Sequence, residues 1–146
     1  MADPFSITGT AVGITSLGLQ VCQGLVQYYT QFKCFHHDVS AAIERAQRLA
    51  GILNILQDYL RKSVEDEASA IEAWKSILAC DEGLKRLQHL VKKYEDLKLP
   101  ENLEDKLKLA QERLLYPFKK DSLDELNNKL DRLQANLQVA LQALQL

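Results

Sequence analysis

The chain has 146 residues, about a quarter of them charged, and a formal net charge of −2. That length supports one domain with a real core and no need of disulfides or metal, and the near-neutral balance offers no electrostatic case for a nucleic-acid partner. Its three cysteines, Cys22, Cys34 and Cys80, are far apart and form no CxxC pair, which fits a reducing, cytoplasmic compartment.

The opening stretch, Pro4 to Phe32, carries no charged side chain and holds four of the six glycines. Asp3 stands where a signal peptide would carry positive charge, and the interspersed Thr and Gln argue against a permanent membrane-spanning helix. Asp3-Pro4 reads as an N-cap followed by a first-turn proline, opening a helix from about Pro4 to Tyr29. On a 3.6-residue period one face carries Ile7, Ala11, Ile14, Gly18, Val21, Leu25 and Tyr28, and a second carries Phe5, Val12, Leu19 and Val26. The strip between them (Ser6, Gly9, Gly13, Gln20, Gly24, Gln27, Gln31) is polar but uncharged. Such a helix is either buried among other helices or in contact with lipid. Gly9 and Gly13 would permit close helix approach, and each interior glycine costs about 0.8–1 kcal/mol of helix propensity relative to alanine. The same helix can serve as core in one state and insert in another.

A second helix is expected from about Asp38 to Arg61, burying Val39, Ile43, Ala46, Leu49, Leu53, Leu56 and Leu60. The acidic turn Ser63–Ser69 follows. A third helix is expected over roughly Ala70 to Leu97, with Ile71, Trp74, Leu78, Leu84, Leu87, Val91 and Tyr94 at helical spacing. Leu99-Pro100 breaks the chain, since the residue before proline avoids helix. A shorter helix, about Glu101 to Leu115, carries Leu103, Leu107, Ala110 and Leu114. Pro117 then turns the chain, and Ser122-x-x-Glu125 predicts a capping box at the head of a last helix. That helix places Leu123, Leu126, Leu130, Leu133, Leu137, Leu141 and Leu144 near a heptad seam and has no stop signal, as expected for the N-terminal part of a longer protein. The fold class expected is all-α, a single domain over 1–146 built as a bundle of four to five antiparallel helices with a glycine-bearing hydrophobic N-terminal helix.

Little points to catalysis. His36-His37 and His89 lack ligand spacing, no phosphate loop, serine elbow or HExxH stands in the chain, and Cys80 reads as a buried structural thiol. The expectation is a non-enzyme with no cofactor and no metal. Lys85, Arg86, His89, Lys92 and Lys93 cluster within two helical turns and Lys119-Lys120 adds a basic pair. They are either a solvated face balanced by Glu82, Glu95 and Asp96 or an attractor for anionic headgroups.

The opening MADPFSITGTAVGITSLGLQVCQGLVQYY resembles the start of fungal N-terminal domains in NOD-like (STAND-class) receptors. The stretch Arg113 to Lys120, RLLYPFKK, is similar to the (W/Y)PFK element late in those domains, with Tyr116 where tryptophan is common. Leu78-x-Cys80 followed by Leu84 and Leu87 fits their middle helix. This is the HeLo-like group, and the likeness covers essentially the whole chain. It implies an all-helical cell-death effector, as in heterokaryon incompatibility and innate immunity. Such a domain rests in the cytoplasm until an upstream receptor or an amyloid signalling partner drives oligomerisation. It then permeabilises the plasma membrane through its N-terminal segment. On that view Phe5, Ile7, Gly9, Val12, Gly13, Ile14, Leu17 and Leu19 would insert, and Lys85, Arg86, Lys92, Lys93, Lys119 and Lys120 would meet anionic lipid headgroups. The alternative is a helical adaptor making homotypic or receptor contacts, its first helix permanently in the core and its last helix as the seam.

Overall fold

A computed structural model describes residues 4–32, 37–62, 68–113 and 115–145, with side chains described from Thr10 onward and omitted at 68–70. The helices are α1 (Pro4–Thr30), α2 (His37–Lys62), α3 (Ala68–Leu78), α4 (Asp81–Glu95), α5 (Leu103–Gln111) and α6 (Lys120–Ala143), with a 3-10 turn at Tyr116–Phe118 before α6. No strand occurs among the described residues. The molecule is an all-helical bundle of four columns, α3 and α4 sharing one.

Cross-column contacts give the directions. Thr15 and Ser16 meet Gln57 while the Gly18 position faces Leu53, so α1 and α2 run antiparallel. Gly18 faces Leu84, Gly24 faces Val91 and Tyr28 packs on Tyr94, so α4 runs parallel to α1. Gly83 faces Leu133 whereas Tyr94 lies by Tyr116, so α6 runs back against α4. The Arg45 Nε to Asp131 Oδ1 ion pair at 3.0 Å links α2 to α6.

The expected apolar face of α2 is buried throughout, as are Leu123, Leu126, Leu130, Leu133 and Leu137 of α6. The expected third helix is instead two. The chain tightens where the Cys80 amide donates to the Ile77 carbonyl three residues back, and α4 restarts with Asp81 and Glu82 in its first turn. This break rotates α3, so Ala73, Trp74, Ile77 and Cys80 fill the core while Ile71 and Leu78 are exposed. The expected capping box does not form: α6 begins earlier, at Lys120, with Lys119 at the cap and Ser122 buried inside the first turn. Asn102 caps α5 through its side chain, which accepts from the Glu104 amide at 2.9 Å. That helix is shorter than expected and packs thinly. Ala110 is its one buried residue and Leu103 is 62% exposed. Asp3, the acidic turn 63–67, Cys34, His36 and Leu114 lie outside the described residues.

Five rings close the end of the bundle where α1 finishes. Tyr28, Tyr29 and Phe32 meet Tyr94 of α4 and Phe118 of the YPFK turn, with Phe32 and Phe118 centroids 4.6 Å apart, edge to face. The Tyr29 hydroxyl donates to the Pro117 carbonyl at 2.9 Å. Edge-to-face pairs add about 0.5–1.5 kcal/mol beyond the area they bury. The C-terminal half of α1 is therefore clamped.

Candidate functional site

Helix α1 holds the residues that the resemblance marks as membrane-inserting, and the bundle divides its circumference. Ala11, Ile14, Gly18, Val21, Leu25 and Tyr28 face the core, Val12, Leu19 and Val26 are half-buried, and Gly13, Gln20, Gln23, Gln27 and Gln31 face water. Of the expected inserting residues, Ile14 is buried, Val12, Leu17 and Leu19 are half-buried and Gly13 is exposed. They point in different directions and form no common apolar surface in this conformation. Phe5, Ile7 and Gly9 lie on the first turns of α1, their surroundings outside the described residues. Among the described residues, no helix is long and apolar enough to cross a membrane.

The glycines separate by environment. A Cβ on Gly18 would lie 2.7 Å from a Leu53 methyl and one on Gly24 2.8 Å from a Val91 methyl, so both allow α1 to sit close to its neighbours. A Cβ on Gly13 or on Gly51 of α2 would meet nothing within 4 Å. The N-terminal half of α1 is also held by a polar contact that the sequence does not signal. The Gln57 amide, buried on α2, donates to Ser16 Oγ at 2.7 Å and Thr15 Oγ1 at 3.3 Å, and Thr15 returns its hydroxyl to the Val12 carbonyl. A buried amide is tolerated when it is bonded in this way.

The expected basic residues of α4 divide between its two ends. Lys85 pairs with Asp81 at 3.0 Å and Arg86 with Glu82 at 2.8 Å, each one turn back on α4. Lys92 and Lys93 are exposed at the other end, and the Lys93 ammonium sits 5.5 Å from the Tyr116 ring centroid. Tyr116 leads into Lys119 and Lys120, both exposed, so the YPFK turn joins Lys93 and this basic pair at one end of the bundle.

Burial pushes the Cys22 thiol up to about 12, the Cys80 thiol up to about 11 and the Tyr94 phenol up to about 12. These groups are uncharged at neutral pH, and the cysteines pack as small hydrophobes. Among the described residues no group of three His, Cys, Asp or Glu side chains could hold a metal ion.

By fold this is an all-helical bundle whose first helix lies against three of its neighbours. No protein-family model matches the chain, and no solved structure matches it. A similar protein is the azaphilone pigments biosynthesis cluster protein L of Monascus ruber, 32% identical over 143 residues. The alignment covers 95% of this chain and 30% of that protein, so the chain spans under a third of its relative's length.

Proposed function

We propose that this chain is a non-enzymatic effector domain that self-associates and acts on membranes, the cell-death role that its resemblance to HeLo-like domains implies. One observation carries this: the water-facing side of α1 has no charge. Burial explains the neutrality of Ile14, but not that of Thr10 and Gly13, which are exposed in the N-terminal half of the helix. Other helices place charges at such positions, as with Glu44, Arg48 and Asp58 on α2 or Asp131 and Arg132 on α6. A charge at the bilayer centre costs about 2.5–3.5 kcal/mol on insertion scales, so a helix that must meet lipid gains from having none.

Withdrawing all of α1 would expose Val21, Leu25, Tyr28 and Tyr29. At about 1.5–3 kcal/mol each, that is on the order of 10 kcal/mol, comparable to the whole stability of a domain. The inserting part is therefore the N-terminal half, up to about Leu19, where among the described residues the buried apolar side chains are Ala11 and Ile14. Lys92, Lys93, Lys119 and Lys120 would draw the domain from the cytoplasm to anionic headgroups at the plasma membrane, each contributing about 1 kcal/mol near such a surface. An upstream receptor or amyloid partner would supply the trigger.

The adaptor reading is favoured by one different fact, that no described helix is long and apolar enough to cross a membrane. Vesicles separate the two. Under the effector reading the chain releases dye from vesicles containing anionic lipid. Reversing Lys92, Lys93, Lys119 and Lys120 to Glu then weakens vesicle binding by roughly a thousandfold or more at low salt, as four contributions of about 1 kcal/mol imply. Absence of leakage from the folded chain, with binding unchanged by the reversal, selects the adaptor.

A further inference from the structure

We propose that the cavity between α1 and the C-terminal end of α4 is a binding site for a small organic amine. The cavity measures about 270 Å³, just under the roughly 300–1,000 Å³ of sites for drug-sized ligands, so its ligand is small. Tyr28 of α1 lines it together with Tyr94 and Glu95 of α4 and the two leucines of the following loop, Leu97 and Leu99. Tyr28 is 6% exposed, and its hydroxyl is buried with no hydrogen-bond partner among the described residues. The adjacent Tyr29, just as enclosed, has its hydroxyl bonded to the Pro117 carbonyl. A buried hydroxyl left unpaired is costly, and a ligand in the cavity that Tyr28 walls is a source of the missing partner.

The lining selects the ligand. Glu95 is the one charged residue in it and makes no ion pair among the described residues, while Asp96 and Lys98 of the same loop do not line it. Gln31 donates its Nε2 to the Tyr28 carbonyl at 3.4 Å, which leaves its amide oxygen as a second acceptor in the lining. An ammonium group brings three donors, no acceptor and a positive charge for Glu95. The Tyr28 and Tyr94 rings, with centroids 5.2 Å apart, add aromatic faces that attract a cation. Leu97 and Leu99, both half-buried, offer apolar surface to a hydrocarbon body. An anion would meet Glu95 with like charge. A metal ion would lack ligands, since among the described residues no group of three His, Cys, Asp or Glu side chains could hold one. The site stands apart from the membrane role, and its test contains no lipid, so the two can fail separately.

Titration of the isotope-labelled full chain, followed by backbone amide NMR shifts at neutral pH, reads the site directly. Phenethylamine, phenethyl alcohol and phenylacetate share a ring and differ in the head group. The amine should move the amides of Gly24, Gln27, Tyr28, Glu95, Leu97 and Leu99 saturably, with a dissociation constant near ~1 mM as its small size implies. The alcohol should bind about tenfold more weakly, and phenylacetate more weakly still. Glu95→Gln, at an exposed position, should stay folded and bring the amine down to the affinity of the alcohol, whose own binding should not change. Tyr28→Phe keeps the ring and loses no hydrogen bond of the hydroxyl, so it should also stay folded, with amine affinity about two- to tenfold lower. No saturable shift up to about 20 mM amine, equal binding of amine and alcohol, or undiminished amine binding by either folded variant would each overturn the assignment.

Discussion

Alanine at Gly13 and at Gly24 makes the same chemical change in the same helix and should have opposite consequences. At Gly13 the new methyl meets nothing within 4 Å, so the substitution returns only helix propensity, about 0.8–1 kcal/mol of stabilisation. For a domain of this size that raises Tm by about 2–4 °C. At Gly24 the same gain is opposed by a contact at 2.8 Å with Val91 Cγ1, a buried β-branched side chain with little rotamer freedom. Either Val91 or the α1–α4 spacing must give by about half an ångström, and overpacking of that kind costs about 1–3 kcal/mol. The difference between the two variants isolates this packing cost, so Gly24→Ala should be less stable than Gly13→Ala by about 1–3 kcal/mol. Urea unfolding followed by far-UV circular dichroism and by the single tryptophan, Trp74, which is buried on α3, measures both. Equal stabilisation by the two alanines would refute the close α1–α4 approach. Loss of stability in Gly13→Ala would refute an open face at that position.

Tyr29→Phe removes the hydrogen bond to the Pro117 carbonyl while leaving the ring in place, and should lower stability by about 1–2 kcal/mol in the same urea titration, with unchanged helix content. The raised thiol pKa values keep Cys22 and Cys80 protonated well above neutral pH, so thiolate accumulates only toward pH 11–12. Alkylation at pH 8 followed by peptide mass mapping should therefore leave both unlabelled in the native chain and modify both in urea. Rapid native labelling of either would place it outside the core.

Much of this architecture is legible in the sequence because apolar side chains recur at helical spacing wherever a helix has one buried side. The α2 face from Val39 to Leu60 and the α6 seam from Leu123 to Leu137 are of that kind. The α3–α4 break is not, since the periodicity of Trp74, Leu78 and Leu84 reads straight through it, and only the Cys80 turn and the packing of Gly83 on Leu133 set the new phase. Tyr29 and Phe32 escape a one-face reading because the end of α1 is enclosed on more than one side, by Tyr94 and Phe118. The pairing of Gln57 with Thr15 and Ser16 has no sequence signal, because amides and hydroxyls on a helix look the same whether they face water or one another. Glycines are equally mute. Gly18 and Gly51 have the same propensity, and only the neighbours show that one serves its own core while the other stands open.

The uncharged outer face of α1 is the centre of this account, and one charge placed on it tests the account most directly. Gly13→Glu adds a carboxylate at an open, exposed position, so the bundle should stay folded by circular dichroism. Dye release from vesicles containing anionic lipid should be lost or cut by roughly a hundredfold, as a penalty of about 2.5–3.5 kcal/mol implies. Unchanged release by a folded Gly13→Glu chain would contradict the claim that this face enters the membrane.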